Sequence, residues 1–219
     1  MTMQANLSAI EGLRPAAVWR HFAELASVPR PSTREEQIRA HIRRFASERG
    51  FPMREDAVGN IVFEVPATPG HEHAPPVVLQ GHVDMVCEKN TSTEHDFDRD
   101  PIRLVQDRHG PAQEPIIRAD GTTLGADNGI GLALAMAAAT TPEVVHPPLE
   151  ILCTIDEEMG MTGAKALAPD FFRGRRMLNL DSEEDDALYI GCAGGCDTTI
   201  TLDLKGAQPT SKFNVWRVT

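Results

Sequence analysis

The sequence predicts an α/β fold in which a mostly parallel sheet is flanked by helices. Short apolar runs typical of buried strands alternate along the chain with amphipathic segments of helical periodicity. Such alternation is typical of parallel strands whose sheet is covered by helices. The sequence contains no internal repeats or low-complexity tracts, and its 219 residues suffice for one such domain plus a fragment of another.

The beginning of the chain is predicted to be helical. In residues 14–28, apolar side chains recur at helical spacing, and Pro15 suits an early helical position. A second helix is predicted after Thr33, because Glu36 stands three residues later and the pair has the spacing of a capping box. Gly50 is placed to end this second helix.

The rest of the chain is predicted to alternate between strands and one further helix. Strands are predicted at residues 60–66, 76–80, 149–155 and 176–180, with others at 188–190 and 198–204 in an exposed or second sheet. The Ala-rich segment 128–141 is predicted to be a helix capped by Asp127 or Asn128. Residues 88–115 are polar and contain prolines, so we predict a long irregular loop outside the core.

Composition and charge exclude several classes of partner. The formal net charge is −11 at pH 7, whereas nucleic acids and anionic membranes select basic surfaces. No apolar run approaches the roughly 18–20 residues that span a bilayer, and the first residues do not resemble a secretory signal. The four cysteines form no secreted-type disulfide framework, and Cys192 and Cys196 are interpreted as small packed thiols. We therefore expect a protein of the reducing cytoplasm.

Acidic residues and one histidine fall at the ends of predicted strands and at a glycine-rich turn. They are His82, Asp84, Asp127, Glu157, Glu158 and Asp181. Each alone has a structural explanation, such as a packed histidine, a helix cap, an acidic first helical turn or a solvated loop. Ligands bind at the carboxyl ends of strands in open α/β sheets, and four independent sites with these residue types are hard to obtain by accident. The joint interpretation is a metal site.

These residue types suit a pair of divalent cations. Zinc and similar ions take histidine nitrogens and carboxylate oxygens at about 2.0–2.2 Å. Two ions roughly 3.5–4 Å apart can polarise a carbonyl and supply a bridging hydroxide. Residues 82 and 84 point to the same side of an extended segment, so Asp84 can orient His82 through its second ring nitrogen. Glu157 and Glu158 point apart, so one can bind metal while the other faces the substrate water.

Four motifs carry a resemblance to a known family. They are GHVDMV at 81–86, TLGADNGI at 123–130, EEMGMTG at 157–163 and LNLDSE at 178–183. As an ordered set they resemble the M20 family of metallopeptidases, and more narrowly its aminoacyl-histidine dipeptidase branch. Supporting stretches are VPRPS at 28–32, DAVGN at 56–60, HPPLE at 146–150 and GCAGG at 191–195. The resemblance extends from about residue 15 to about residue 204, nearly the whole chain.

The resemblance implies two divalent metal ions, zinc in the first place, with manganese or cobalt also compatible with these ligands. His82 and Asp181 would bind one ion and Glu158 the other, and Asp127 would bridge both. The resemblance also implies an α/β catalytic domain of the zinc-exopeptidase type.

The remaining implied roles concern the reaction. Glu157 would be the general base that activates the water between the two metals and later protonates the leaving amine, and Asp84 would support His82. The implied substrates are dipeptides, especially those that end in histidine. A second hypothesis is a related amide hydrolase that deacylates N-acyl amino acids, although the GHVDMVCEKN and TLGADNGIG stretches favour the dipeptidase.

The resemblance also implies segments that this sequence does not contain. Family members are longer, with a lid domain that often dimerises and a returning segment that supplies a final histidine ligand, whereas the last histidine here is His146. Residues 1–190 are therefore expected to be the N-terminal part of an incomplete catalytic domain, and residues 191–219 the first strands of a truncated lid. We expect a homodimer only where a lid is present. The third hypothesis is a non-catalytic remnant that binds one metal and has little or no activity.

Overall fold

The computed structural model describes residues 2–182, 184, 187–191, 194–195 and 198–202. The chain divides into two compact units, Met1–Glu183 and Glu184–Thr219. The helices and strands of the described residues all lie in the first unit. None of these helices is long and apolar enough to cross a membrane.

The first unit contains five helices. They are α1 (Thr2–Ala9), α2 (Ala16–Ala26), α3 (Glu36–Glu48), α4 (Ala126–Thr140) and α5 (Thr162–Ala166). The three helices that the sequence predicts, α2 to α4, are confirmed. The two helices that the sequence analysis did not predict are short or weakly amphipathic, and they offer little periodic signal.

Both predicted helix caps are wrong. The residue preceding α3 is Glu35, and the backbone N–H of Thr33 donates to Glu35 Oε1 at 2.8 Å, so the capping box is absent. Helix α4 is preceded by Gly125, whose φ of 68° is left-handed. Asp127 and Asn128 have non-helical backbone angles, because their side chains bond to groups at the strand ends instead of to the helix terminus.

Seven strands form two sheets. They are β1 (Met53–Glu55), β2 (Ile61–Val65), β3 (Val77–His82), β4 (Leu104–His109), β5 (Glu114–Ala119), β6 (Leu149–Thr154) and β7 (Arg176–Asn179). The central sheet has the order β1-β2-β6-β3-β7, and β4 and β5 form a separate two-stranded sheet. The four strands predicted before residue 181 are confirmed as β2, β3, β6 and β7.

The central sheet is mostly parallel in direction, as predicted. Strands β6, β3 and β7 are mutually parallel, and β2 runs antiparallel to β6 and to β1. All strands of this sheet except β2 therefore run the same way. His82 at the end of β3 lies opposite Thr154 at the end of β6, and Gln80 lies opposite Asn179 of β7. The carboxyl ends of three parallel strands thus meet at one edge.

Helices α2, α3 and α4 cover one face of this sheet. Their apolar side chains pack with the sheet in one large core that includes Phe22, Ile38, Phe63, Leu132 and Ile151. Each of these five side chains is at most 1% exposed. The alternation of apolar residues along the helices and strands therefore does what the sequence predicts: it buries one stripe of each helix against the sheet.

Two predictions about irregular and strand regions are wrong. The stretch 88–115 is not wholly irregular, because β4, the whole β4–β5 connection and the first two residues of β5 fall in it. This ribbon is largely exposed on both faces, so its sequence lacks apolar alternation. Conversely, residues 188–190 and 198–202 are not in strands, and the last two residues of the predicted segment 198–204 lie outside the described residues. Local alternation does not make a strand without a partner strand to pair with.

Candidate metal centre

The residues singled out at the strand ends lie together at the carboxyl edge of the central sheet. His82 ends β3, Glu157 and Glu158 follow β6, and Asp181 follows β7. Asp127 comes from the turn that opens α4, which packs against β3 and β6. The parallel arrangement of β6, β3 and β7 is the reason that segments far apart in sequence deliver their side chains to one place.

His82 is at the middle of this cluster and is fully buried. Its Nδ1 lies 3.2 Å from Asp84 Oδ1, and its Nε2 lies 2.9 Å from Asp127 Oδ1. The same Nε2 is 3.9 Å from Glu157 Oε2 and 3.8 Å from Asp181 Oδ1. One ring nitrogen is therefore held by Asp84, and the other faces several carboxylates, which is the arrangement that metal-binding histidines usually show.

Among the described residues, three groups of side chains have the spacing of metal ligands: one consists of the buried Glu35, Asp84 and Asp156, and the other two include His82. His82, Asp127 and Glu158 offer ligand atoms that all lie within 4.8 Å of one another, and so do His82, Glu157 and Asp181. The two glutamates thus face different groups, as expected for adjacent residues that point apart. Both groups use His82.

Several partly buried carboxylates lie close together in this site, and a positive charge would stabilise them. Burial and the neighbouring Asp127 carboxylate raise the pKa of Asp181 to about 6. Burial and Asp127 also raise the pKa of Glu158. Carboxylates this close repel each other in a partly buried site, and a proton or a cation relieves the repulsion. Nitrogen and oxygen donors held in this way fit divalent ions of the zinc, manganese and cobalt type.

Asp84 organises the site through four hydrogen bonds. Its carboxylate accepts from His82 Nδ1, from the Ser32 hydroxyl at 2.8 Å, and from the backbone N–H groups of Glu157 at 3.1 Å and Glu158 at 3.2 Å. Burial favours the neutral acid, but these donors outweigh it and lower the pKa of Asp84 to about 2. Asp84 therefore fixes the backbone of both glutamates as well as the ring of His82.

Ser32, Asn128 and Arg30 complete the site, and the sequence analysis assigned none of them a role there. The Ser32 hydroxyl donates to Asp84. Asn128 Nδ2 donates to Asp181 Oδ1 at 2.9 Å and to the backbone oxygen of Leu180 at 2.8 Å, so it ties the start of α4 to the end of β7. Ser32 and Arg30 lie in the VPRPS stretch and Asn128 in TLGADNGI, so the available signal was their place in the family motifs.

Metal binding is expected to strengthen as the pH rises towards 9. Burial opposes protonation of His82, but the hydrogen bonds to Asp84 and Asp127 outweigh it and raise the pKa of His82 to about 9 in the metal-free chain. A histidine ligand must be neutral, so below this pH each ion that binds His82 displaces a proton. Titration with Co²⁺ at several pH values should give an affinity that rises about tenfold per pH unit near neutrality. An affinity independent of pH between about 6.5 and 8.5 would contradict this protonated histidine.

A parallel-stranded edge that carries two overlapping histidine–carboxylate ligand groups is a candidate site for divalent ions of the kind that metal-dependent hydrolases use. The chain is 44% identical over 213 residues to the cytosol non-specific dipeptidase of Escherichia coli. Its structure resembles that of aminoacylhistidine dipeptidase from Vibrio alginolyticus with a TM-score of 0.74 and 45% identity. Over the matched segments, the chain is therefore similar in sequence and in fold to dipeptidases of the aminoacylhistidine type.

The coverage of these relatives is partial. The match to the E. coli protein includes 97% of this chain and 43% of that protein. The Vibrio structure is matched over 80% of this chain and 35% of that chain. An aminopeptidase from Bacillus cereus shares the fold, with a TM-score of 0.61 and 24% identity over 77% of this chain and 43% of its own. No family model matches the chain. The chain therefore spans less than half the length of these relatives.

Proposed function

We propose that this chain supplies the metal-binding part of a dipeptidase that hydrolyses dipeptides, especially those that end in histidine. The observation that carries the proposal is the pair of ligand groups that share His82 at the carboxyl edge of the sheet. Support for the substrate class comes from the E. coli and Vibrio relatives, which are a non-specific dipeptidase and an aminoacylhistidine dipeptidase.

The proposed metal ligands are four side chains, which would hold two divalent ions, with zinc as the first choice and manganese or cobalt as alternatives. His82 and Asp181 would hold one ion and Glu158 the other, and Asp127 would contribute to both. The 2.9 Å contact between Asp127 Oδ1 and His82 Nε2 supports a metal position that both side chains can reach. Two divalent ions, when bound, supply Lewis acidity that polarises the scissile carbonyl and lowers the pKa of the attacking water.

Glu157 is proposed as the general base. Its side chain is 33% exposed, so it can meet a substrate, and its Oε2 lies 3.9 Å from His82 Nε2. A carboxylate in this place accepts the proton of the attacking water and then donates it to the amine that leaves. Asp84 holds the backbone N–H of Glu157 and so keeps this carboxylate oriented towards the ligands.

Several broader properties are part of the same proposal. We assign residues 1–190 to the catalytic domain and 191–219 to the start of a lid domain. The first compact unit ends at Glu183, close to this boundary. We also propose a cytoplasmic location, because the E. coli relative is a cytosol dipeptidase, and homodimers only in the presence of a lid.

A second candidate function is metal binding without turnover. Both ligand groups include His82. Its Nδ1 faces Asp84, which leaves Nε2, the nitrogen near Asp127, Glu157 and Asp181, to serve one ion at a time. The other ion would then be held by carboxylates of the described residues, and we expect it to bind more weakly. A chain with one tight and one weak site would bind metal but hydrolyse peptides slowly.

Substrate and metal titrations distinguish the candidates. The purified chain is loaded with Zn²⁺, Mn²⁺ or Co²⁺ and assayed against alanyl-histidine, alanyl-alanine and N-acetyl-histidine. The dipeptidase proposal expects both dipeptides to be hydrolysed, alanyl-histidine faster, with little cleavage of N-acetyl-histidine. Preferential cleavage of N-acetyl-histidine would support a deacylase. Binding of one equivalent of metal without hydrolysis of any of the three would support the second candidate.

A further inference from the structure

Arg30 is a buried cation beside the metal centre that the proposed mechanism does not use. The residue is only 2% exposed. Nη1 donates to the backbone oxygens of Val83 at 3.1 Å and Asp84 at 2.9 Å, and Nη2 donates to the backbone oxygen of Gly125. Among the hydrogen bonds of the described residues, Arg30 makes none to a carboxylate. Its three hydrogen bonds therefore all go to backbone oxygens, and its buried Nε has no hydrogen-bond partner among the described residues.

The three carbonyls that Arg30 contacts belong to two segments that carry proposed metal ligands. Val83 and Asp84 directly follow His82 at the end of β3, and Gly125 stands two residues before Asp127. A guanidinium group is planar and presents its donors in a rigid fork, so it holds the atoms that it contacts at defined separations. One side chain thus bridges the segment of His82 and the segment of Asp127.

The glycine-rich turn before α4 leaves room for this guanidinium. A Cβ atom at Gly125 would lie 2.5 Å from Arg30 Nη2, and one at Gly129 would lie 2.7 Å from the same atom. At these separations a side chain at either position would require the Arg30 guanidinium to shift. Glycine at both positions therefore allows the turn to close over Arg30, in addition to the left-handed φ of 68° at Gly125.

The charge of Arg30 does not by itself explain its position. Burial lowers the pKa of Arg30 to about 10, with Asp84 opposing this effect, so the group is charged near neutral pH. A fixed positive charge close to a cation site repels the incoming ions. An arginine that served only as a charge would weaken metal binding. We therefore explain Arg30 by the way its hydrogen bonds hold the two backbone segments in place.

We propose that Arg30 is a positioning residue that sets the separation between His82 and Asp127, and thereby pre-forms the spacing of the metal ligands. The inference rests on the proposed function in one respect, namely that these two residues bind metal. It adds that the guanidinium fork is required, and that a different cation of similar length cannot replace it.

The test compares metal affinity in variants that separate shape from charge. Arg30→Lys keeps the charge and loses the fork, Arg30→Met loses both, and Arg49→Met is the matched control. Arg49 also donates to a backbone carbonyl, that of Phe45, but it lies at the far end of α3. Co²⁺ affinity and the visible absorption of bound Co²⁺ are measured on the whole chain, with thermal unfolding as a check on folding.

A positioning role predicts that both Arg30 variants bind Co²⁺ roughly 10- to 100-fold more weakly, with altered absorption, whereas Arg49→Met binds like the parent. A role through charge alone predicts the opposite sign: Arg30→Met binds more tightly and Arg30→Lys is unchanged. That result, or unchanged affinity in both variants, would overturn the inference.

Gly129→Ala keeps the inference testable if Arg30→Met does not fold. The added methyl group presses on Nη2 and is expected to weaken Co²⁺ binding in the parent, and to have a smaller effect in the Arg30→Lys background. Equal effects in the two backgrounds would mean that the added methyl group does not act through the Arg30 guanidinium, which would contradict the inference. Altered affinity in a chain that hydrolyses no dipeptide would leave the inference standing and reject the dipeptidase. Lack of Co²⁺ binding by the parent chain would reject both.

Discussion

Glu157→Gln is expected to reduce dipeptide hydrolysis on the order of 10²- to 10⁴-fold while metal binding is retained. Glutamine has nearly the shape of glutamate, so the backbone N–H of residue 157 can still donate to Asp84. An amide cannot accept the proton of the attacking water, so the proton transfer that Glu157 is proposed to perform is lost. The measurements are kcat and KM with alanyl-histidine, together with the number of Co²⁺ ions bound.

Glu158→Gln is the matched control, because Glu158 is the adjacent residue and its N–H bonds to the same carboxylate. If Glu158 is a ligand, its variant loses one equivalent of bound metal and recovers part of its activity at high metal concentration. Glu157→Gln should show neither effect. Loss of metal from Glu157→Gln, with full occupancy in Glu158→Gln, would mean that the two roles are exchanged. This comparison is necessary because Glu157 also has the spacing of a metal ligand, together with His82 and Asp181.

Asp84→Ala is expected to lower the free energy of unfolding of the metal-free chain by about 3–5 kcal/mol at neutral pH. The substitution leaves a buried imidazole and two backbone N–H groups without their acceptor. We also expect metal affinity to fall about 10- to 100-fold, because His82 and both glutamates lose the group that orients them. Urea unfolding in the presence of a chelator measures the first effect, and Co²⁺ titration measures the second.

The pH dependence of this destabilisation provides an internal check. The pKa of Asp84 is lowered from 3.8 to about 2 in the folded chain, so its stabilisation is fully present above pH 3.8 and is lost as the pH falls through about 2. The difference between parent and Asp84→Ala should therefore shrink in strong acid. Asp98→Asn, at an exposed ion pair with Arg34, is the control and should change stability by less than about 0.5 kcal/mol. A similar loss of stability in both variants would argue against a special role for Asp84.

The elements of the fold were predicted where local periodicity reports burial. Helices α2 and α3 and strands β3 and β6 have strong apolar patterns, and burial of these patterns drives the layers together. The hairpin of β4 and β5 was missed because it is exposed on both faces. The cap of α4 was predicted wrongly because the side chains of Asp127 and Asn128 have partners at other strand ends.

The sequence by itself determined which residues are candidates for chemistry, because their types and their places after strands are local properties. It also indicated the family through ordered motifs. Only the tertiary structure decided which candidates meet, that Asp84 holds His82 together with both glutamates, and that Arg30 joins two ligand segments through backbone carbonyls. The physical reason is that these contacts join residues far apart along the chain, and their distances depend on how parallel strands and the turn before α4 pack against one another.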